Sequence, residues 1–157
     1  MKYVYPAVFY KDKKLPETYS VIFPDVEGAA TCGYSLFDAV KMAEEALSEM
    51  LIDWEDSKAK GEEFFNQITE PTPIEKVVAV PDEFSSKAFV TLIKADTDSY
   101  RKNLSSENNT EDDEEDLDAG KKILVPKYDD DKEMPETLAR EICRVAGLEY
   151  PFEADAE

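Results

Sequence analysis

The chain has 157 residues and a formal charge of −19, with 18 Lys and Arg against 37 Asp and Glu. The excess is uneven: residues 1–104 hold 12 basic and 19 acidic side chains, whereas residues 105–157 hold 6 and 18. Such a chain does not bind nucleic acid or anionic lipid through its surface at large, because phosphate affinity rests on Lys and Arg neutralising backbone charge. A basic partner is accommodated more easily. There is no His, which removes the commonest general base, the commonest transition-metal ligand and every Ser-His or Cys-His pair. Two cysteines, Cys32 and Cys143, are too few for a disulfide framework or a zinc site and read as reduced thiols. The start, MKYVYPAVFYKDKK, has no charged region followed by a long apolar run, and no stretch approaches the ~18 apolar residues that span a bilayer. The expectation is a soluble, cytoplasmic protein.

Residues 3–10, YVYPAVFY, are apolar, aromatic and Val-rich, which predicts a strand. Pro6 places that strand at a sheet edge or a bulge, since Pro donates nothing to a ladder. After the polar turn KDKKLPET (11–18), YSVIF (19–23) is a second strand, and the short separation implies an antiparallel hairpin. PDVEG (24–28) is a turn. AATCG (29–33) is a short third strand whose small side chains let something bulky pack above it. Ser35 then opens a long helix, with Asp38 three residues later completing a capping pattern. Leu36, Ala39, Val40, Ala43, Leu47, Met50, Leu51 and Trp54 form its apolar stripe, and its end falls near Lys58–Gly61. Pro71 and Pro73 interrupt the mixed stretch 62–76. VVAVP (77–81) reads as a small strand, and AFVTLIKA (88–95) as a central strand covered on one face by the helix. TDSYRKN (97–103) reads as a helical turn.

The composition then changes. LSSENNTEDDEEDLDAG (104–120) has seven acids within positions 111–118; it repels itself and has almost nothing to bury, so it is expected to be a disordered linker. KKILVPKY (121–128) reads as a strand. Pro135 starts a helix over 136–148, with Gly147 as its C-terminal cap. The fold class is thus α+β: a β-β-β-α-β unit over 1–103, an antiparallel sheet covered by one long helix. An acidic linker over 104–120 and a small strand-helix segment over 121–157 follow, the latter a degenerate DNA-binding or dimerisation module.

Few residues suggest chemistry. Asp12, Asp25, Asp96 and Asp98 are candidates for a two-cation nuclease site, but they fall in turns and after strands, where solvated caps are the commoner role. The acidic tracts beginning at Glu114 and Asp129 lack the Gly and Glu that shape an EF-hand loop: those places hold Ala119 and Val125, or Met134 and Arg140. No glycine-rich phosphate loop and no G-x-S-x-G is present. Cys32 has no neighbouring base to lower its pKa. No catalytic residue, cofactor or metal is assigned.

The run YPAVFYKD, then YSVIFPDVEGAATCGYSLFDAVKMAEEAL, then EPTP, then FVTLIKADTDSYRK resembles the HicB family of bacterial antitoxins. The pieces that carry the resemblance are Phe23-Pro24-Asp25, the Gly28 turn, the Ala30–Gly33 strand and the Ser35-Leu36 helix start, in that order over residues 1–103. The resemblance implies a partial RNase H-like fold. It also implies binding to HicA, a small basic RNA-cleaving toxin whose active surface is covered, with repression of the operon through a DNA-binding C-terminal module. The alternatives are a residual metal-dependent nuclease through Asp12, Asp25 and Asp96, or an acidic scaffold without a toxin. Candidate partner contacts are Tyr19, Asp25, Glu27, Asp112, Asp113, Glu114, Glu115 and Asp116. A homo-oligomer is expected, paired through the Pro6 strand or the tail strand. A DNA operator is a further candidate partner, and a membrane is not.

Overall fold

The computed structural model describes residues 1–106, 112–116, 121–126 and 132–150. The strands are β1 (Lys2–Asp12), β2 (Tyr19–Ile22), β3 (Ala30–Gly33), β4 (Ser85–Asp96), β5 (Asp112–Asp116) and β6 (Lys122–Pro126); the α-helices are α1 (Leu36–Lys60), α2 (Thr97–Ser106) and α3 (Glu136–Ala146). A four-stranded antiparallel sheet has the order β3-β2-β1-β4, and β5 and β6 form a separate hairpin. The protein is a mixed α/β fold in which this sheet carries the long helix α1 on one face. Among the described residues, no helix is long and apolar enough to cross a membrane.

Alternation along the strands sorts side chains between the two faces. Tyr5, Ala7 and Phe9 of β1, Val21 of β2 and Ile93 and Ala95 of β4 point toward α1, where they meet Ala39, Ala43, Ala46, Leu47, Met50 and Leu51. The opposite face is partly covered by α3: Leu138 is fully buried against Ala30 and Cys32, with Ile22, Tyr34 and Ile142 around it. α1 starts as its sequence dictates, with Ser35 Oγ accepting from Asp38 N at 3.0 Å and Asp38 Oδ2 accepting from Tyr34 N at 3.1 Å. At Gly33 a Cβ would sit 2.3 Å from Ala39 N, so only glycine lets the first turn of α1 lie directly on β3. The stripe holds at Leu47 and Leu51; Trp54 is partly buried, and Leu36 is exposed.

Several expectations are corrected. Pro6 lies inside the sheet, and the hydrogen-bond pattern shows why it is tolerated. Thr97 N donates to Met1 O on the β4 side, whereas Asp12 N donates to Thr18 O on the β2 side. Odd residues of β1 therefore bond β4 and even residues face β2. The β1–β2 ladder spans only Val8 to Lys11, so the nitrogen of Pro6 falls where no ladder bond is required. β4 is an edge strand, not a central one: it pairs β1 along its whole length and, among the described residues, no strand on its other side. Residues 77–81 follow a 3₁₀ turn (Ile74–Lys76) and join no ladder.

The expected linker 104–120 is structured where it is described. Leu104 belongs to α2, and Asp112–Asp116 is the strand β5. Its register places Asp116 opposite Lys122 and Glu115 opposite Ile123. Ile123 and Leu124 are buried at 1% and 0%, so an anchored β6 offers a template that a local reading of charge does not contain. Residues 107–111 and 117–120 of that expected linker lie outside the described residues.

Candidate partner-binding surface

The β2–β3 loop, Phe23 to Gly28, gathers the polar contacts of the sheet's open end. Asp25 is buried, and its carboxylate is consumed internally. Oδ1 accepts from Thr69 Oγ1 at 3.2 Å and Thr72 Oγ1 at 2.7 Å, and Oδ2 from Thr72 N at 2.8 Å. Tyr5 OH donates to Thr69 O at 2.9 Å, fixing the same strap to β1. Glu27 Oε1 accepts from Gln67 N at 3.0 Å, while Oε2 pairs with Lys121 Nζ at 2.9 Å. Burial pushes the Glu27 carboxyl up, but the bonds from Lys121 and Gln67 outweigh it and hold it below the usual carboxylate range.

Gly28 and Asn66 join this loop to the C-terminal segment. Gly28 has φ +93°, and a Cβ there would lie 2.5 Å from Lys122 O and 2.7 Å from Asn66 Nδ2. Asn66 is only 5% exposed. Its Nδ2 donates to Glu27 O at 2.9 Å and Lys122 O at 2.7 Å, and its Oδ1 accepts from Lys122 N at 2.7 Å. Leu124 N adds a bond to Gly28 O at 3.4 Å. A second attachment lies at Asp82. Its Oδ2 accepts from Thr137 Oγ1 at 2.9 Å and Arg140 at 2.7 Å. Asp82 also closes a local turn, its Oδ1 accepting from Phe84 N and Ser85 Oγ, but the bonds from Asn66 and Asp82 that hold the C-terminal segment run to partners more than fifty positions away, which no local pattern announces.

The candidate contacts therefore separate. Tyr19 is buried, with its ring edge-on to Phe89 at a centroid distance of 6.2 Å. Tyr19 and Asp25 are buried and serve as internal supports of the sheet and the loop. Glu27 is tied to Lys121. Asp112, Asp113, Glu114, Glu115 and Asp116 share one strand in register with Lys122–Pro126.

The possible metal ligands do not converge. In the β1–β4 ladder Asp96 pairs with Lys2, whereas Asp12 pairs with Ser85 at the other end, roughly 30 Å away at the rise of a strand. Asp12 accepts from Lys14 N and Leu15 N as a turn residue, and Asp96 from Ser99 N as a cap. Among the described residues no group of three His, Cys, Asp or Glu is placed to hold a metal. Cys32 and Cys143 are buried and are not joined in a disulfide, and burial pushes the Cys143 thiol up. A groove of about 500 Å³ lies between α3 and the sheet, with Val8, Tyr10 and Ile22 at its apolar wall and Glu27, Glu141 and Arg144 at its rim.

The family model for the HicB_like antitoxin of bacterial toxin-antitoxin systems matches residues 5–111, and the chain belongs to that family. Among solved structures it is similar to a chain of a toxin-antitoxin complex from Streptococcus pneumoniae, with 23% identity, a TM-score of 0.49, and coverage of 96% of this chain and 92% of that one. A comparison with curated proteins found no match.

Proposed function

We propose that this protein is the antitoxin of a two-protein system and neutralises a small, basic, RNA-cleaving toxin of the HicA type by covering its active surface. Membership of the HicB_like antitoxin family over residues 5–111 is the observation that carries this reading. The β-β-β-α-β order of the first ninety-six residues suits a partial RNase H-like unit retained as a binding scaffold. The charge of −19 favours a basic partner, and the run of acids at 112–116 would speed such an encounter electrostatically.

Operator binding by the C-terminal segment is the less favoured half of the family pattern. Arg140 is engaged by Asp82 and Glu83, and Arg144 by Glu141, which leaves these two α3 cations committed to carboxylates rather than to phosphates. The test is titration of the purified chain into an RNA-cleavage assay of the basic protein encoded in the adjacent reading frame. Stoichiometric inhibition with a co-eluting complex is expected. Replacing Asp112, Asp113, Glu114, Glu115 and Asp116 by Ser and Thr should slow association and flatten its salt dependence, with dissociation nearly unchanged. An uninhibited nuclease and no complex would refute the reading.

A further inference from the structure

Ahead of β4 lies a short apolar segment, VVAVP (77–81), that belongs to no sheet. Val77 leaves the 3₁₀ turn Ile74–Lys76 with extended backbone, φ −83° and ψ 125°. Val77 and Ala79 are half-buried, whereas Val78 is 76% and Val80 63% exposed. This alternation means that one face of the segment rests on the protein and the other is bare. The backbone is open as well: among the described residues, no backbone bond engages Val78, Ala79 or Val80. An unpaired extended segment with alternate exposed valines is a template for an incoming strand. Val78 also lines the groove between α3 and the sheet, together with Val8, Tyr10 and Ile22, so an apolar recess adjoins the bare valines.

We infer that the basic partner of the antitoxin reading docks here, laying an extended segment along residues 77–80 and an apolar side chain in the adjoining groove. Charge selects this occupant. Residues 62–83 hold six acids and one base, Lys76. Asp82 and Glu83 are taken up by Arg140, but Glu70 and Glu75 are exposed and form no ion pair among the described residues. The charged lining of the groove is Asp25, Glu27 and Glu141 against Arg144 alone. A second copy of this chain, itself at −19, brings acid to acid, whereas the lysines and arginines of a basic partner find carboxylates beside the valines. The other exposed apolar pair, Val4 at 50% and Leu92 at 52%, does not offer this: Val4 stands opposite Lys94 in the β1–β4 ladder. The inference rests on the antitoxin reading and adds to it the contacts of the bound state. The acids at 112–116 bear on the encounter, and the valine segment bears on how long the complex lasts.

Binding kinetics and amide exchange test this, with the full chain and the basic protein encoded in the adjacent reading frame. The double variant Val78→Asn, Val80→Asn adds no charge and removes only exposed side chains, so it should keep the wild-type melting curve. Its complex should dissociate about tenfold faster or more, with association changed less than roughly twofold. Glu70→Gln with Glu75→Gln should weaken the complex at low salt and leave it close to wild type at high salt. Exchange is measured on the wild type and so does not depend on a variant folding. The amides of Val78, Ala79 and Val80 should be fast in the free chain, and alternate ones should become protected in the complex. A complex that dissociates at the wild-type rate from the double variant, or in which these amides stay fast, overturns the inference and leaves the antitoxin reading standing. Protection of the same amides in the chain alone at high concentration assigns the segment to a second copy and overturns it too. If the wild type forms no complex, the antitoxin reading falls and this inference falls with it.

Discussion

The sheet carries a helix on each face, and the two are held by different means. α1 is held by area: Phe9, Val21, Leu47, Met50 and Leu51 are all fully buried between it and the strands. α3 shares a small cluster with Ala30 and Cys32 and depends on polar clamps at its margins. Thr137 and Arg140 bond Asp82, Tyr34 OH donates to Glu133 O at 2.8 Å, and the Arg140 guanidinium lies 5.0 Å from the centre of the Phe84 ring. Apolar burial is non-directional and scales with area, so the α1 face tolerates small adjustments. Hydrogen bonds are directional, and those whose groups reach water, as Arg140 does at 38% exposure, exchange for water locally at small net cost. The first face should melt with the whole domain and the second should open by itself.

The largest effect expected from this difference is at Leu47. Leu47→Ala should cost about 2–5 kcal/mol and shift every probe of unfolding together. Leu138 is equally buried, yet Leu138→Ala should loosen α3 first, so that its amides lose protection while those of α1 keep most of theirs. Denaturant melts combined with residue-resolved exchange separate the two outcomes. Equal loss of protection in both helices would mean that the two faces form one cooperative unit.

The contrast also explains what could be read from the sequence. The α1 side was legible because its signals are local. Ser35 and Asp38 cap a helix whose stripe repeats every three or four residues, and β1 and β2 are joined by a short polar turn. Ala46 belongs to the same sheet-facing cluster, three residues after Ala43 and four before Met50, and Met42 and Ile52 are buried beside the stripe. The α3 side was not legible, because its determinants are pairs distant in sequence. Nothing near Asn66 announces that it bonds Lys122, and nothing in the DDEED run announces that its backbone pairs with KILVP. The same limit applies to β4, whose apolar run suits a central strand or an edge equally well. At the site, the carboxylates of Asp25 and Glu27 hold the loop together through partners forty or more positions away.

A smaller effect is expected at Asn66, and it sharpens the comparison because it touches only the polar side. Asn66→Ala leaves Lys122 N–H, Lys122 O and Glu27 O without the bonds they now make. An orphaned buried backbone group costs about 1–3 kcal/mol, and water reaching the loop would recover part of that. The expected result is a drop of about 1–3 kcal/mol in the opening free energy of β6 and α3, measured by exchange, with α1 nearly unchanged. Asn66→Asp should not rescue it, since the carboxylate keeps the acceptor for Lys122 N but places charge against two carbonyl oxygens. A uniform loss across the domain would show that the clamp stabilises the sheet itself.

The smallest effect is the pH dependence of Glu27. Its carboxyl is held below the ordinary value of 4.5 in the folded protein, with Lys121 and Gln67 overcoming the cost of burial. A group whose pKa is depressed on folding binds its proton more readily in the unfolded chain. Its stabilisation is therefore fully present above the ordinary carboxylate value and is lost as pH falls through the lower folded value. Glu27 is attached to Lys121, so the stability lost should be that of the C-terminal segment rather than of α1. Glu27→Gln should lower the opening free energy of β6 at neutral pH. The gap between wild type and variant should then close on acidification below the ordinary carboxylate range. Because Lys121 remains a third exposed, water and salt screen the pair and the gap should narrow in high salt as well. If the gap is the same at neutral and acidic pH, the bond from Lys121 contributes no charge-dependent stabilisation, and the loop is held by Asn66 and the backbone bonds alone.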